Sequence, residues 1–173
     1  KKGRSARFSA ANSSLRPTGR ATGGVIGMRF KEGDSLLSMD VASPDTYVVT
    51  ITDGGFGKRT SIDEWQPKGR GGTGVRAMKL PEERGHLVGA MVCSDTDQIF
   101  AIASNGVVIR TRVDEIRASG RDTMGVRMMR LGEDTSVVAV ARGADEGDTD
   151  GSDEGDDQGG AEVVTEESVE VTE

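Results

Sequence analysis

The sequence predicts an all-β chain of propeller-like blades, each of about 50 residues and four short strands, followed by a disordered acidic tail. Three observations predict it. A twelve-residue pattern recurs three times in phase, the residues between copies read as short strands, and the composition changes abruptly near residue 143.

The repeat sets the frame. Gly19–Phe30 (GRATGGVIGMRF) aligns without gaps on Gly69–Leu80 (GRGGTGVRAMKL) and on Gly120–Leu131 (GRDTMGVRMMRL), at spacings of 50 and 51 residues. A second pattern precedes it. Arg59–Trp65 (RTSIDEW) matches Arg110–Ile116 (RTRVDEI), each arginine lying 10 residues before its glycine, and the first copy at Arg7-Phe8 needs a two-residue insertion. Two linked patterns recurring together are far more specific than one glycine-rich match.

The strands follow in order. Ser35–Val41, Tyr47–Thr52, Leu87–Cys93, Gln98–Ala103, Val107–Val113 and Val137–Ala141 are short runs rich in β-branched and other apolar residues. Ser43-Pro44-Asp45, Asp53-Gly54-Gly55 and Ser104-Asn105-Gly106 supply the turns between them. Only a few windows, such as Leu80–Leu87, have room for a helical turn, and no stretch sustains a 3.6-residue period. Within the repeated pattern, Val and the Met three places later have opposite parity, which a strict pleat cannot place on one face. A bulge there is expected, suited by Gly27 and Ala77 but less by Met128. Met28, Met39, Met78, Met91 and Met129, with Phe8, Phe30, Phe56 and Phe100, are expected in the core. A blade cannot bury its face alone, so residues 1–142, with not quite three repeats, are expected to be part of a larger ring.

The net charge of −7 argues at face value against nucleic acid. The average hides a division. Residues 144–173 carry 13 carboxylates and no Lys or Arg, while the rest holds 22 basic residues, 16 of them Arg, against 16 acidic ones, a net of +6. The chain divides into a body, 1–142, and a tail, 143–173, too poor in apolar residues to offset its ordering entropy. No apolar stretch is long enough to span a bilayer. One cysteine, Cys93, excludes an internal disulfide and fits a reducing cytoplasm, and one histidine, His86, leaves no zinc set of the usual kind.

No catalytic constellation is visible. His86 reads as a solvated turn residue, and Lys68-Gly69-Arg70-Gly71-Gly72-Thr73-Gly74 lacks the Gly-Lys-Ser/Thr ending and following helix of a nucleotide loop. The positive signal is the recurring cations. Arg20, Arg70 and Arg121 share one repeat position; Arg29, Lys79 and Arg130 a second; Arg59 and Arg110 a third; Arg76 and Arg127 a fourth. The candidate DNA-binding residues are Arg20, Arg70 and Arg121, Arg59 and Arg110, Arg76 and Arg127, with Lys58 and Lys68: the planar guanidinium fork suits phosphate, and repetition on successive blades would grip a curved duplex without reading its bases. The competing reading makes them inter-blade ties to the recurring pairs Asp63-Glu64 and Asp114-Glu115. Few aromatics argue against single-strand binding.

These repeats, together with Lys68–Val75 and the run Leu15-Arg16-Pro17-Thr18-Gly19-Arg20, resemble the C-terminal domain of the bacterial DNA gyrase A subunit over residues 1 to about 142. The resemblance implies a β-pinwheel of six blades, of which this would be the last half. It implies wrapping of double-stranded DNA as a non-catalytic module within an ATP- and Mg-dependent type II topoisomerase that introduces negative supercoils. It further implies an A2B2 assembly with the B subunit and the rest of the A subunit, a bacterial cytoplasmic and nucleoid location, and no cofactor or membrane partner of its own. The family's defining box, Gln-Arg-Arg-Gly-Gly-Lys-Gly, would lie upstream of Lys1; Lys68–Gly74 is similar to a degenerate copy, with Lys68 in the place of Gln, Gly69 of the first Arg and Thr73 of Lys. The alternatives are a propeller scaffold for protein partners and the C-terminal domain of the topoisomerase IV A subunit. The tail is expected to compete with DNA for the basic body or else to act as a solubilising extension.

Overall fold

The computed structural model describes residues 1–143; the acidic tail from residue 144, and with it the expectation of disorder there, lies outside the described residues. Among the described residues, nine strands form three antiparallel sheets. Their ranges are β1 (Arg4–Ser5), β2 (Tyr47–Thr52), β3 (Phe56–Ser61), β4 (Val75–Arg76), β5 (Leu87–Cys93), β6 (Gln98–Ala103), β7 (Val108–Arg112), β8 (Val126–Arg127) and β9 (Val137–Arg142). Two single 3-10 turns, Ile62–Glu64 and Glu82–Arg84, complete the secondary structure of the described residues, and the second falls in one of the few windows with room for a helical turn. No helix among the described residues is long and apolar enough to cross a membrane.

The sheets run β1-β4, β5-β2-β3-β8 and β7-β6-β9. The four-stranded sheet is a complete blade, but its strands are not consecutive. Its edge strand β8 belongs to the Gly-Arg pattern of the following repeat and pairs as Phe56↔Arg127 and Gly57↔Val126. One repeat earlier, β4 pairs with β1 as Arg4↔Arg76 and Ser5↔Val75, the same register. Each blade therefore lends its glycine-rich strand to the one before it, and the junction is main-chain hydrogen bonding.

The expected bulge is present in both places. Ala77 and Met78 N–H both donate to Gly3 O (2.8 and 3.4 Å), and Met128 and Met129 N–H both donate to Gly55 O (2.9 and 3.1 Å). Two donors on one carbonyl absorb the extra residue, so Val and Met can both face inward. Because main-chain bonds set the bulge, it forms with Met128 as readily as with Ala77.

The main core lies between the two larger sheets. Val49, Ile51, Cys93, Ile99, Ala101, Val113, Ile116, Met129 and Val137 are all buried in one cluster, and a second cluster gathers Ile62, Trp65 and Ala77. Burial pushes the Cys93 thiol up to about 11, which leaves it protonated and inert at neutral pH. Met78 and Met129 are core residues as expected, whereas Met39 (85 % exposed) and Phe30 (45 % exposed) are not. Both misplaced residues belong to the first repeat. Residues 35–41, expected as a strand, make no ladder. Their counterpart β5 lies on β2, but no described residue pairs with 35–41, and Leu36 and Val41 stay exposed.

Candidate nucleic-acid interface

Each Gly-Arg loop packs on the preceding repeat through a fixed set of bonds. Lys68 N–H donates to Arg7 O (2.9 Å), and Ser119 N–H donates to Arg59 O (3.0 Å) in the same relation one blade on. The arginine of each loop then reaches back across the junction. Arg70 donates to Ser14 O (Nε, 2.9 Å) and Ile26 O (Nη1, 3.5 Å). Arg121 donates to Glu64 O and Arg76 O, both at 2.9 Å. Ser14 and Glu64 stand five residues before their own Gly-Arg glycine, and Ile26 and Arg76 seven after it, so the two arginines are equivalent in contact as well as in sequence.

Arg70 and Arg121 are thus inter-blade ties, but to main-chain carbonyls rather than to the Asp-Glu pairs. The fork spends two donors on the junction and keeps others for a ligand.

The remaining candidates divide. Arg20 is exposed, and among the described residues its guanidinium has no hydrogen-bond partner. Arg76 is exposed and bridges Asp122 at 2.7 Å, which holds that carboxyl below its ordinary range. Arg127 is exposed beside the Phe56 ring, 5.1 Å from its centroid. Arg59 is held by Asp95 (2.8 Å) and lies over Tyr47, with its Nε buried and unpartnered among the described residues. Arg110 is engaged by Gln98 and lies over Phe100. The in-phase Asp114 takes Arg112 instead, and Asp63 faces Ser61, so neither acidic pair ties blades together.

Lys58 is not on the surface at all. Its side chain is fully buried, and Nζ donates to Gly120 O (2.7 Å), Arg121 O (2.6 Å) and Thr123 Oγ1 (3.2 Å). The pleat explains the correction: Lys58 shares a strand face with Thr60, opposite Thr50, and that face turns into the blade junction.

At the first junction the position of Lys58 is taken by Ala6, and a cleft of about 320 Å³ opens there. Lys68, Gly69, Gly72, Thr73 and Gly74 of the second Gly-Arg loop line it, with Arg7 from the first repeat and Arg121 from the third. Glu64 is its one carboxylate. Arg7, which sequence reasoning passed over, donates to Ile62 O and Trp65 O at 3.0 Å each and so fixes one wall. Its signal was available, since it shares a repeat position with Arg59 and Arg110. A Cβ at Gly69 or Gly72 would meet nothing within 4 Å, so the loop is open to an approaching backbone on that side.

Comparison with known proteins agrees with this arrangement. The family model described as "DNA gyrase C-terminal domain, beta-propeller" matches residues 1–43, 46–94 and 97–142, one segment for each repeat. The chain is 55 % identical over 147 residues to the DNA gyrase A subunit of Streptomyces coelicolor, and 52 % identical over 144 residues to that of Mycolicibacterium smegmatis. These alignments cover 85 % and 83 % of the chain but 17 % of each relative. Among solved structures, a DNA gyrase A C-terminal domain superposes with a TM-score of 0.65 at 29 % identity, covering 74 % of the chain and 44 % of that domain. A topoisomerase IV C-terminal domain follows with a TM-score of 0.64 at 28 % identity, covering 69 % and 38 %.

Proposed function

The chain belongs to the DNA gyrase C-terminal domain family, and on that premise we propose that residues 1–142 bind and wrap duplex DNA through its phosphate backbone as the C-terminal module of a gyrase A subunit. The observation that carries the reading is the cleft at the first junction, where Arg7, Lys68 and Arg121, from three successive repeats, face one carboxylate beside an open glycine loop. Such a cleft favours a polyanion, as a phosphate-directed, sequence-indifferent grip requires. The resemblance in structure is as close to topoisomerase IV as to gyrase; the high identity to gyrase A subunits decides for gyrase. In the whole enzyme the module would act beside the B subunit and the rest of the A subunit, in an A2B2 assembly in the bacterial cytoplasm, with ATP and Mg2+ used elsewhere in that assembly.

Filter binding of the 173-residue chain to duplex DNA across salt concentrations tests this. The log–log slope is expected to be about 0.9 per phosphate contacted, and several contacts should make it steep. A flat dependence overturns DNA binding and favours the protein-scaffold alternative.

The tail enters the same titration. Thirteen carboxylates tethered to a +6 body act as a local counterion mimic, so ending the chain after Arg142 is expected to tighten DNA binding at low salt, by about tenfold, with the gain fading as salt screens the competition. Equal low-salt affinity with and without the tail would leave it a solubilising extension.

A further inference from the structure

We propose that Lys58 is a positioning residue that shapes the Gly120–Thr123 loop into a cradle for one backbone phosphate of duplex DNA. The inference rests on the DNA-binding reading and assigns a specific phosphate site at the second blade junction.

The geometry begins with the three oxygens on Nζ. Two of them, Gly120 O and Arg121 O, belong to consecutive peptides and converge on the same ammonium. In a trans peptide the N–H points opposite to the C=O. Drawing these carbonyls inward therefore turns the Arg121 and Asp122 N–H groups away from Lys58. Neither has a hydrogen-bond partner among the described residues.

Beside them sits the Arg121 side chain, pinned by Glu64 O and Arg76 O through Nε and Nη1, which leaves Nη2 uncommitted. Two unspent main-chain N–H groups next to a fixed guanidinium form the kind of nest that takes an anion. The first junction lacks this device. Ala6 replaces Lys58, and the equivalent of the Asp122 N–H, that of Gly71, is spent on Gly27 O at 2.7 Å.

The cradle is sensitive to the charge on Lys58. Burial lowers its pKa to about 8, opposed by Asp122 and Glu64 and assisted by Arg121. The other charges facing the junction are Arg76, paired with Asp122, Lys79, whose N–H donates to Thr123 O (3.0 Å) and whose charge acts on Asp122, and Arg127 on β8; from β2 and β3 the neighbours are Thr50 and Thr60, which carry none. Between pH 7 and 9 the ammonium is lost and its hold on both carbonyls weakens, so DNA affinity falls. Stability moves the other way. The folded pKa lies below the ordinary lysine value, so the unfolded chain keeps the proton that the folded chain sheds, and folding is favoured as pH rises through this window. A purely structural role would not drive affinity and stability in opposite directions.

The test is fluorescence anisotropy of labelled duplex DNA with the 173-residue chain at fixed low salt, pH 7 to 9, with thermal melts alongside. Wild type is expected to lose about fivefold in affinity over that range while its melting temperature holds or rises; Lys58→Gln should bind about tenfold more weakly at pH 7, the worth of one charge-assisted contact, and show no such pH response. A folded Lys58→Gln with wild-type affinity and pH profile overturns the proposal. If that variant does not fold, the unsubstituted chain decides: affinity constant from pH 7 to 9 overturns it. Absence of DNA binding by every form at low salt would instead overturn the function from which it proceeds.

Discussion

Replacing Gly125 by alanine is expected to cost about 3–4 kcal/mol, more than any other glycine substitution in the third repeat. Gly125 has φ +72°, a region that L side chains rarely adopt, and a Cβ there would lie 2.6 Å from Gly57 O and 2.9 Å from the Gly57 carbonyl carbon. Both atoms belong to β3 at the point where it pairs with β8, so relief would require opening the ladder that joins the second and third repeats. Two other glycines separate the contributions. Gly106 has φ +85° but open space around its Cβ direction, so Gly106→Ala should cost only the backbone strain, about 1 kcal/mol. Gly120 has neither feature, and Gly120→Ala should stay within about 0.5 kcal/mol. Denaturant midpoints of the three variants give the ranking. A Gly125→Ala loss no larger than that of Gly106→Ala would refute the view that this junction is held by close main-chain approach.

That glycine was visible in the sequence as a repeated letter, and its partner was not. The pattern fixed the blade length, the strands β2, β5 and β6, and the bulge, because each follows from local alternation and turn chemistry. Which strand lies beside which is a long-range matter. The loan of β8 to the preceding blade is written in main-chain bonds, and a carbonyl carries no residue identity that a sequence pattern can show. The same reason hid the true partners of Arg70 and Arg121. Residues 35–41 have strand-like composition but no partner among the described residues, and composition without a ladder leaves Leu36, Met39 and Val41 in solvent.

Lys58 is the instructive error. Next to Arg59 it reads as half of an exposed cationic pair, yet a strand sends adjacent side chains to opposite faces. Its counterparts, Ala6 and Ile109, include a large aliphatic residue, and that was the available sign of an inward position.

Arg121→Ala should produce a compound loss that no neighbouring cation reproduces. The guanidinium bridges Glu64 O and Arg76 O and also lines the cleft at the first junction, so one substitution touches both junctions and the interface. Two charge-assisted bonds to partly exposed carbonyls are worth about 1–2 kcal/mol of stability together, since water can replace them in part. On the binding side, one lost phosphate contact should weaken DNA affinity about tenfold and reduce the salt slope by about 1. The weakening should be the same for every duplex tested, because a phosphate contact carries no base information. Arg121→Lys separates tie from charge. A lysine restores the positive charge, but its single ammonium on a flexible stem cannot reproduce the planar two-point bridge, so stability should stay low while part of the affinity returns. Arg76→Ala is the contrast. It removes an exposed ion pair with Asp122, worth little to stability, and leaves the carbonyl that Arg121 uses in place. If Arg121→Ala shifts sequence preference, or if its affinity loss is matched by no change in salt slope, then the side chain is not reading phosphate, and its place on the cleft wall is only that of a tie between blades.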